Sequence, residues 1–343
     1  MGAASMREEP VRDRLGRPLR ELRVSVTDRC NFRCGYCMPA DGAPVAFAPR
    51  AQILRFEEIE RLVRLMVEKL GVRKVRLTGG EPLTRRELPR LCEMLSRLPG
   101  VEDLSLTTNG TLLADQAGAL ARAGLRRVTV SLDALDAETF RRMSGGRGDV
   151  ARVLAGIEAA RQAGLSPIKV NCVVKHGENE HAVVDLARHF RGQGVTVRFI
   201  EYMDVGTVNG WAQGQVLGAD RIAAELERLG GLRRLPARVV GEVAERHEYA
   251  DGSGEVGIIA SVSRPFCRDC SRARLSAEGR LLTCLFASDG LDLRGPLRDG
   301  ESDRSLLERM RGAWLARDDR YSELRAERAA QPRRRLEMFQ VGG

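Results

Sequence analysis

Six short segments in the first two thirds of the chain alternate between apolar and polar residues, a pattern typical of β-strands. They cover residues 21–27, 74–79, 102–109, 125–133, 166–174 and 195–202. Between them, apolar residues recur every three or four positions, which predicts helices over 56–70, 86–97, 111–122, 149–162 and 179–191. Strands that alternate with helices favour parallel βαβ units, either as an open sheet or curled into a barrel.

The two faces of the predicted strands differ in composition. One face carries apolar residues such as Val24, Leu77 and Val130, and we expect it to pack against the helices. The other face carries cationic and small polar residues, namely Arg23, Arg76, Thr107, Ser131, Lys169, Asn171 and Arg198. A closed barrel would hold bulky apolar residues inside, and an open doubly wound sheet would be apolar on both faces.

We therefore predict an α/β fold, a partial, open (β/α)6 TIM-like barrel with a polar interior, followed by a smaller C-terminal α+β region. A single sheet with one face in solvent is the alternative. In the barrel, Arg23, Arg76, Lys169 and Arg198 would converge on one cavity. Because isolated buried cations are costly, such a cavity indicates a polyanionic ligand, most simply a phosphorylated small molecule.

The chain divides into three predicted parts. Residues 1–20 contain mixed charges and no apolar signal core, which indicates a flexible leader and no export. Residues 21–205 form the barrel core. Residues 206–343 begin with a Gly-rich stretch, followed by a helix over 219–229 and hairpins with turns at Asp251-Gly252 and Glu278-Gly279. No apolar run is long enough to span a membrane.

Composition narrows the function classes. The net charge is +9 from 56 basic and 47 acidic residues, but aromatic residues make up only 4% of the chain. That is few for a protein that stacks nucleic-acid bases, so an anionic small molecule is favoured over nucleic acid. With no export signal, the eight cysteines indicate metal binding in a reducing cytoplasm rather than disulfides.

Six of the eight cysteines form two groups of three. The first group follows the first strand with C-x3-C-x2-C spacing, and the second has C-x2-C-x13-C spacing across a predicted hairpin. The groups are Cys30, Cys34 and Cys37, then Cys267, Cys270 and Cys284. Three thiolates on a four-iron cluster leave one iron free for another ligand. Zinc completed by a distant residue is the alternative at either site.

The first triplet resembles the signature of the radical S-adenosylmethionine (SAM) superfamily. The match lies in CNFRCGYC, residues 30–37, and in the run Thr78-Gly79-Gly80-Glu81-Pro82, which is similar to the superfamily's GGEP motif. The resemblance implies a partial barrel in which the methionine part of SAM occupies the free iron. A 5′-deoxyadenosyl radical would then abstract hydrogen from the substrate.

Two incomplete clusters in one chain resemble the GTP 3′,8-cyclase family. The similarity extends through LTTNG, RFIEYMDVG and SRPFCRDCSRARLS to the terminal Gly342-Gly343, with Ser271 where the family would have Thr. It implies conversion of GTP to 3′,8-cyclo-7,8-dihydro-GTP, the first step of molybdenum cofactor biosynthesis. The implied cofactors are two [4Fe-4S] clusters and SAM, with the guanine base on the second cluster.

The resemblance also assigns roles by residue. SAM contacts are expected at Tyr36, Gly80, Ser131 and Met203. GTP contacts are expected at Arg23, Arg76, Thr107, Lys169, Arg272, Ala273 and Arg274, with Arg198 on the same strand face. The family's Gly-Gly tail would reach the active site. Expected partners are a flavodoxin or ferredoxin reductant, a downstream cyclic pyranopterin monophosphate synthase and a second copy of the chain, with no membrane and no nucleic acid.

Two other functions stay open at this point. A radical SAM enzyme that modifies a peptide or RNA could use the second cluster for electron transfer. It would cleave SAM without GTP. The second is a zinc-stabilised binder of nucleotides or nucleic acid, which would contain zinc and no acid-labile sulfide.

Overall fold

The computed structural model describes residues 9–39, 45–207, 209–328 and 336–342. Its strands are β1 Glu21–Ser25, β2 Lys74–Thr78, β3 Asp103–Thr108, β4 Arg127–Ser131, β5 Ile168–Val174, β6 Val195–Glu201, β7 Leu232–Leu235, β8 Glu245–Tyr249, β9 Glu255–Ile259, β10 Arg272–Leu275, β11 Arg280–Leu282 and β12 Leu291–Asp292. Its α-helices are α1 Phe56–Lys69, α2 Leu88–Ser96, α3 Leu113–Arg122, α4 Ala137–Met143, α5 Val150–Gln162, α6 Ala182–Phe190, α7 Ala219–Glu227, α8 Arg294–Arg298, α9 Asp303–Leu315, α10 Arg325–Arg328 and α11 Met338–Val341.

All twelve described strands belong to one open sheet in the order β12-β11-β10-β1-β2-β3-β4-β5-β6-β9-β8-β7. The run from β10 through β1–β6 to β9 is parallel, while antiparallel pairs form both ends. The predicted partial, open TIM-like barrel is thus confirmed. The C-terminal strands do not form a sheet of their own, because β9 and β10 continue the barrel's parallel pairing on either side.

The six predicted barrel strands and the five helices between them are present, with slightly shorter ends. The sequence pattern missed α4, a helix of seven residues whose buried Phe140 and Met143 span a single turn. So few positions cannot establish a helical period. Its start is defined by Asp136, whose carboxylate accepts a hydrogen bond from the backbone N–H of Thr139 at 2.7 Å.

The two strand faces lie as the alternation predicts. Leu22, Val24 and Leu77 are fully buried in the hydrophobic core beneath the helices. The polar face is also covered, since Arg76 is 9% exposed and Thr129 only 4%. The alternative of a sheet with one face in solvent is therefore wrong.

The predicted flexible leader is wrong for residues 9–20. Val11 and Leu19 are buried, and the backbone N–H of Val11 donates to the carbonyl of Leu70 at 3.2 Å. Apolar residues near a terminus become ordered when the fold offers them a groove. Residues 1–8 lie outside the described residues.

The C-terminal helices dock onto the barrel helices. Arg298, at the end of α8, donates to the buried carboxylate of Glu58 in α1 at 2.8 and 3.0 Å. Arg61 and Arg64 of α1 both bond Asp303 at the start of α9. In the described part of the chain, no helix is both long and apolar enough to cross a membrane.

Candidate active site

Both cysteine triplets line one cavity of about 280 Å³ on the polar face of the sheet. All six thiols are free and only partly exposed. The cavity wall also includes Arg23, Thr107, Ser131, Arg272 and Arg274, which come from four strands. The fold therefore brings together residue groups that lie more than two hundred positions apart.

The loop that carries the first triplet is held by the Gly79-Gly80-Glu81 run after β2. The backbone N–H of Gly80 donates to the carbonyl of Thr27 at 2.7 Å, and that of Glu81 to the carbonyl of Arg29 at 2.8 Å. A Cβ at Gly80 would lie 2.2 Å from that Arg29 oxygen. The two backbones can approach this closely only where the side chain is missing.

Glu81 is a site residue to which the sequence analysis assigned no role of its own. Its carboxylate accepts hydrogen bonds from Thr108 Oγ1 and the Asn109 N–H, both at 2.7 Å, and from the Leu83 N–H at 3.0 Å. Burial raises its pKa to about 7, against the effect of those bonds. Glu81 thus joins the ends of β2 and β3 beneath the first triplet.

Tyr36 is fixed by a second buried carboxylate. Its hydroxyl donates to Asp133 at 2.7 Å, and Asp133 also accepts from the N–H of Val173 at 2.9 Å. Burial raises the pKa of Asp133 to about 6. The predicted SAM contacts Tyr36, Gly80, Ser131 and Met203 all line the cavity.

The second triplet lies around the predicted hairpin. Leu275 of β10 pairs with Leu281 of β11, so Cys284 returns beside Cys270 as the spacing indicated. Burial would raise the pKa of Cys270, but Arg272 and Arg317 outweigh it and lower the pKa to about 6. Burial raises the pKa of Cys284 to about 12, with Asp319 acting in the same direction.

The donor sets fit iron–sulfur clusters. Burial raises the pKa of Cys34, and Asp133 and the other two thiols of its triplet raise it further. A positively charged iron core would offset this cost of holding thiolates together. Within the described ranges, no three His, Cys, Asp or Glu side chains converge as the ligands of one metal ion do. A four-iron cluster binds each thiolate through a different iron and does not require that convergence.

One carboxylate lies among the cations of the polar face. Glu21 pairs with Arg23 at 3.1 Å and lies 3.6 Å from Nε of Arg76. Burial would raise its pKa, but Arg23, Arg76 and Arg272 hold the pKa far below its usual value. Burial lowers the pKa of Arg198 to about 9, and neighbouring Arg76 and Arg23 add to the effect. Cations thus remain in excess here.

Arg76, Lys169 and Arg198 do not line the main cavity but lie on the same polar face of the sheet. Arg76 donates to Thr107 and Thr129 at 3.4 and 3.3 Å, while its Nε has no hydrogen-bond partner among the described residues. Arg198 donates to the same Thr129 at 3.4 Å. These long bonds to neutral hydroxyls do not neutralise the guanidinium groups.

Ala273 lies between the two inward-facing arginines of β10, but its side chain is buried in the hydrophobic core. It does not line the cavity. The C-terminal tail does, through Met338, and the carbonyls of Val341 and Gly342 accept hydrogen bonds from Arg274. Gly343 lies outside the described residues.

Two family models match the chain. Residues 24–190 match the Radical SAM superfamily, and residues 195–323 match Molybdenum Cofactor Synthesis C. Two solved structures are similar to part of the chain. Methylornithine synthase is 15% identical with a TM-score of 0.48, over 62% of each chain. AdoMet-bound anSMEcpe is 20% identical with a TM-score of 0.45, over 62% of this chain and 57% of its own.

Curated relatives match almost the full length. A GTP 3′,8-cyclase of Xanthomonas axonopodis pv. citri is 55% identical over 97% of this chain and 99% of its own. One of Acidothermus cellulolyticus is 53% identical over 93% of this chain and 89% of its own. A GTP 3′,8-cyclase of Staphylococcus aureus is 41% identical over 98% of this chain and 99% of its own. With this identity over nearly its whole length, the chain belongs to the GTP 3′,8-cyclase family of radical SAM proteins.

Proposed function

We propose that the protein is a GTP 3′,8-cyclase, which converts GTP to 3′,8-cyclo-7,8-dihydro-GTP in the first step of molybdenum cofactor biosynthesis. The observation that carries the proposal is one cavity lined by two free cysteine triplets and by Arg23, Arg272 and Arg274. Arg76, Lys169 and Arg198 lie on the same polar face of the sheet. Each triplet lacks a fourth ligand, so each cluster would have an iron available to a small molecule.

The first triplet would hold a [4Fe-4S] cluster with SAM on its free iron. Gly80 lets the backbone approach the cluster loop, Tyr36 is held by Asp133, and Ser131 and Met203 line the same wall. When bound, the cluster and SAM supply a radical that removes the 3′ hydrogen of the ribose. The protein's own contribution is to hold the ribose beside it and to exclude water.

The second triplet and the cations would hold GTP. Cys267, Cys270 and Cys284 leave one iron for the guanine base. The triphosphate would be bound by Arg23 and Arg76. Thr107, Lys169 and Arg198 would add further GTP contacts, as would Arg272 and Arg274 beside the second triplet, with Ala273 contributing only backbone. Guanidinium groups suit the triphosphate because their paired N–H donors match phosphate oxygens.

The test is an anaerobic assay of the protein reconstituted with iron and sulfide. Dithionite and SAM are added with one nucleotide at a time. We expect 5′-deoxyadenosine with GTP and much less with ATP or without nucleotide, and deuterium transfer from 3′-deuterated GTP. Equal SAM cleavage without GTP would instead support the peptide- or RNA-modifying alternative. A protein that contains zinc and no acid-labile sulfide would support the alternative of a zinc-stabilised binder of nucleotides or nucleic acid.

The proposal also includes the protein's partners, its location and its oligomeric state. A flavodoxin or ferredoxin would supply the electron, and a cyclic pyranopterin monophosphate synthase would consume the product. We also propose a cytoplasmic homodimer. Light scattering measures the molar mass of the reconstituted protein and so tests whether it is a dimer.

A further inference from the structure

Asp13, which does not line the cavity, lies at the centre of a buried ionic network that reaches the cavity wall through Arg317. Its carboxylate side chain is 0% exposed. One oxygen accepts from the backbone N–H groups of Leu15 and Arg17 at 3.0 and 2.9 Å. The other accepts from Arg17 Nε at 2.6 Å and Arg317 Nη1 at 2.8 Å. One carboxylate therefore joins two buried guanidinium groups that lie 300 positions apart.

The two guanidinium groups reach both segments that carry the second triplet, which are the Cys267–Cys270 turn and the segment that ends at Cys284. Arg17 donates to the carbonyl of Cys267 at 2.8 Å. Arg317 donates to the carbonyl of Cys270 at 2.9 Å and to that of Thr283, the residue before Cys284, at 3.0 Å. Asp13 is thus linked to the backbone at each of these three carbonyls through a single guanidinium group.

Further contacts hold this network rigid. The indole N–H of Trp314 donates to the carbonyl of Arg17 at 3.3 Å, and the Arg317 guanidinium lies over the Trp314 ring at 4.5 Å. The N–H of Arg14 donates to the carbonyl of Arg317 at 3.2 Å. Arg17 Nη2 is buried with no hydrogen-bond partner in the described part of the chain. This N–H group can therefore donate a hydrogen bond to an acceptor that these residues do not supply.

We propose that Asp13 is a positioning residue for the second cluster, acting through Arg17 and Arg317 on the two cysteine segments. The Cys267–Cys270 turn and the segment that ends at Cys284 are separate in the chain, and a cluster requires their thiols at fixed mutual distances. A buried carboxylate that bonds both arginines sets those distances. Its loss would leave the buried Arg17 guanidinium without its carboxylate partner, and Arg317 with Asp319, at 3.7 Å, as its carboxylate partner. The inference rests on the proposed function, because it assumes that the second triplet holds a cluster.

The test isolates each cluster in turn. The substitution Cys34→Ser leaves only the second triplet intact, and Cys270→Ser leaves only the first. Into each background we would introduce Asp13→Asn and, as a matched control, Glu58→Gln, which removes a buried carboxylate that is paired with Arg298 and does not line the cavity. The readouts are the rate of iron release to a chelator and the electron paramagnetic resonance spectrum of the reduced cluster.

We expect Asp13→Asn to speed iron release from the second triplet by about tenfold or more and to alter its spectrum, as outer-shell substitutions do. Release from the first triplet should stay unchanged, and Glu58→Gln should change neither rate. A general loss of stability would speed both releases alike, and that result would overturn the proposal. Unchanged release and spectrum at the second triplet would also overturn it.

If Asp13→Asn does not fold, Arg17→Lys is tested in its place, since lysine keeps the charge but lacks the rigid pair of Nε and Nη1 donors that bond Asp13 and Cys267 in Arg17. Faster release from the second triplet alone supports the proposal, and an unchanged rate overturns it. If the Cys34→Ser protein with Asp13 intact binds no cluster at all, the second cluster of the proposed function fails together with this inference. If the second triplet binds a cluster equally well with Asp13 intact and with Asp13→Asn, only the inference about Asp13 is overturned.

Discussion

The guanidinium of Arg274 donates a hydrogen bond to the carbonyl oxygen of Gly342, 68 residues further along the chain. Gly342 has φ of +70°, and a Cβ there would lie 2.5 Å from Thr78 Cγ2 and 3.0 Å from the Gly79 nitrogen. The tail therefore lies directly against the end of β2 and the GGEP motif. Only a residue without a side chain fits this position without displacing them.

The substitution Gly342→Ala should lower kcat by about tenfold or more, because it pushes the tail away from Arg274 and Gly79. Single-turnover assays of the reconstituted enzyme would measure this. Gly312→Ala is the control: Gly312 lies in α9 with nothing within 4 Å of an added Cβ. It should leave kcat unchanged and add up to about 1 kcal/mol to the free energy of unfolding. Wild-type kcat in Gly342→Ala would show that the tail has no part in turnover.

Removing the buried guanidinium of Arg76 should weaken triphosphate binding. Arg76→Ala should raise the Kd for GTP by about 10- to 100-fold, as expected for the loss of charge-assisted hydrogen bonds. The Kd for guanosine should hardly change, and anaerobic calorimetry measures both. The control is Arg90→Ala, which removes an exposed arginine paired with exposed Glu57. Equal weakening of guanosine and GTP would place Arg76 away from the phosphates.

The charge of Lys169 should make unfolding depend on pH. Burial, together with the nearby charges of Arg198, Arg127 and Arg76, lowers its pKa from 10.5 to about 8. Between these values the unfolded chain binds a proton that the folded chain does not. The Lys169 contribution to the free energy of unfolding should therefore rise from pH 8 to 10.5.

Lys169→Met removes this contribution. Without nucleotide, the variant should be more stable than the wild type near pH 7, and the difference should shrink as the pH rises toward 10. Chemical denaturation at several pH values gives the free energies. For GTP binding the direction is opposite, because affinity should fall above pH 8 in the wild type but not in Lys169→Met. A pH-independent difference in stability between the two proteins would contradict the assignment.

The two cysteine classes should respond differently to the same substitution. Cys284→Ser should lose roughly half of the bound iron and abolish GTP conversion, since one of two four-iron clusters depends on it. Cys92→Ser should keep all the iron, because Cys92 is a buried core residue of α2. Iron and sulfide analysis with the GTP assay compares them. Full turnover in Cys284→Ser would remove the second triplet from the reaction.

Much of the fold and part of the site follow from local sequence alone. Alternation at Arg23, Val24 and Ser25 predicts which side chains face the interior, because successive residues on a strand point to opposite faces. Cysteine spacing predicts both triplets, since ligands a few residues apart, or facing each other across a hairpin, are neighbours in any fold. The SAM and GTP contacts assigned by resemblance stay predictions, although most lie on or beside the cavity.

The tertiary structure alone decided what depends on distant pairs. Arg17 meets Cys267 across 250 positions and Arg317 meets Asp13 across 304, and no local period records such contacts. For the same reason the sequence analysis assigned Asp13 to a flexible leader. It also treated the C-terminal strands as a separate region, whereas β9 and β10 extend the barrel. Periodicity reports the surroundings of one segment, but which segments meet is determined by how the whole chain buries its apolar surface.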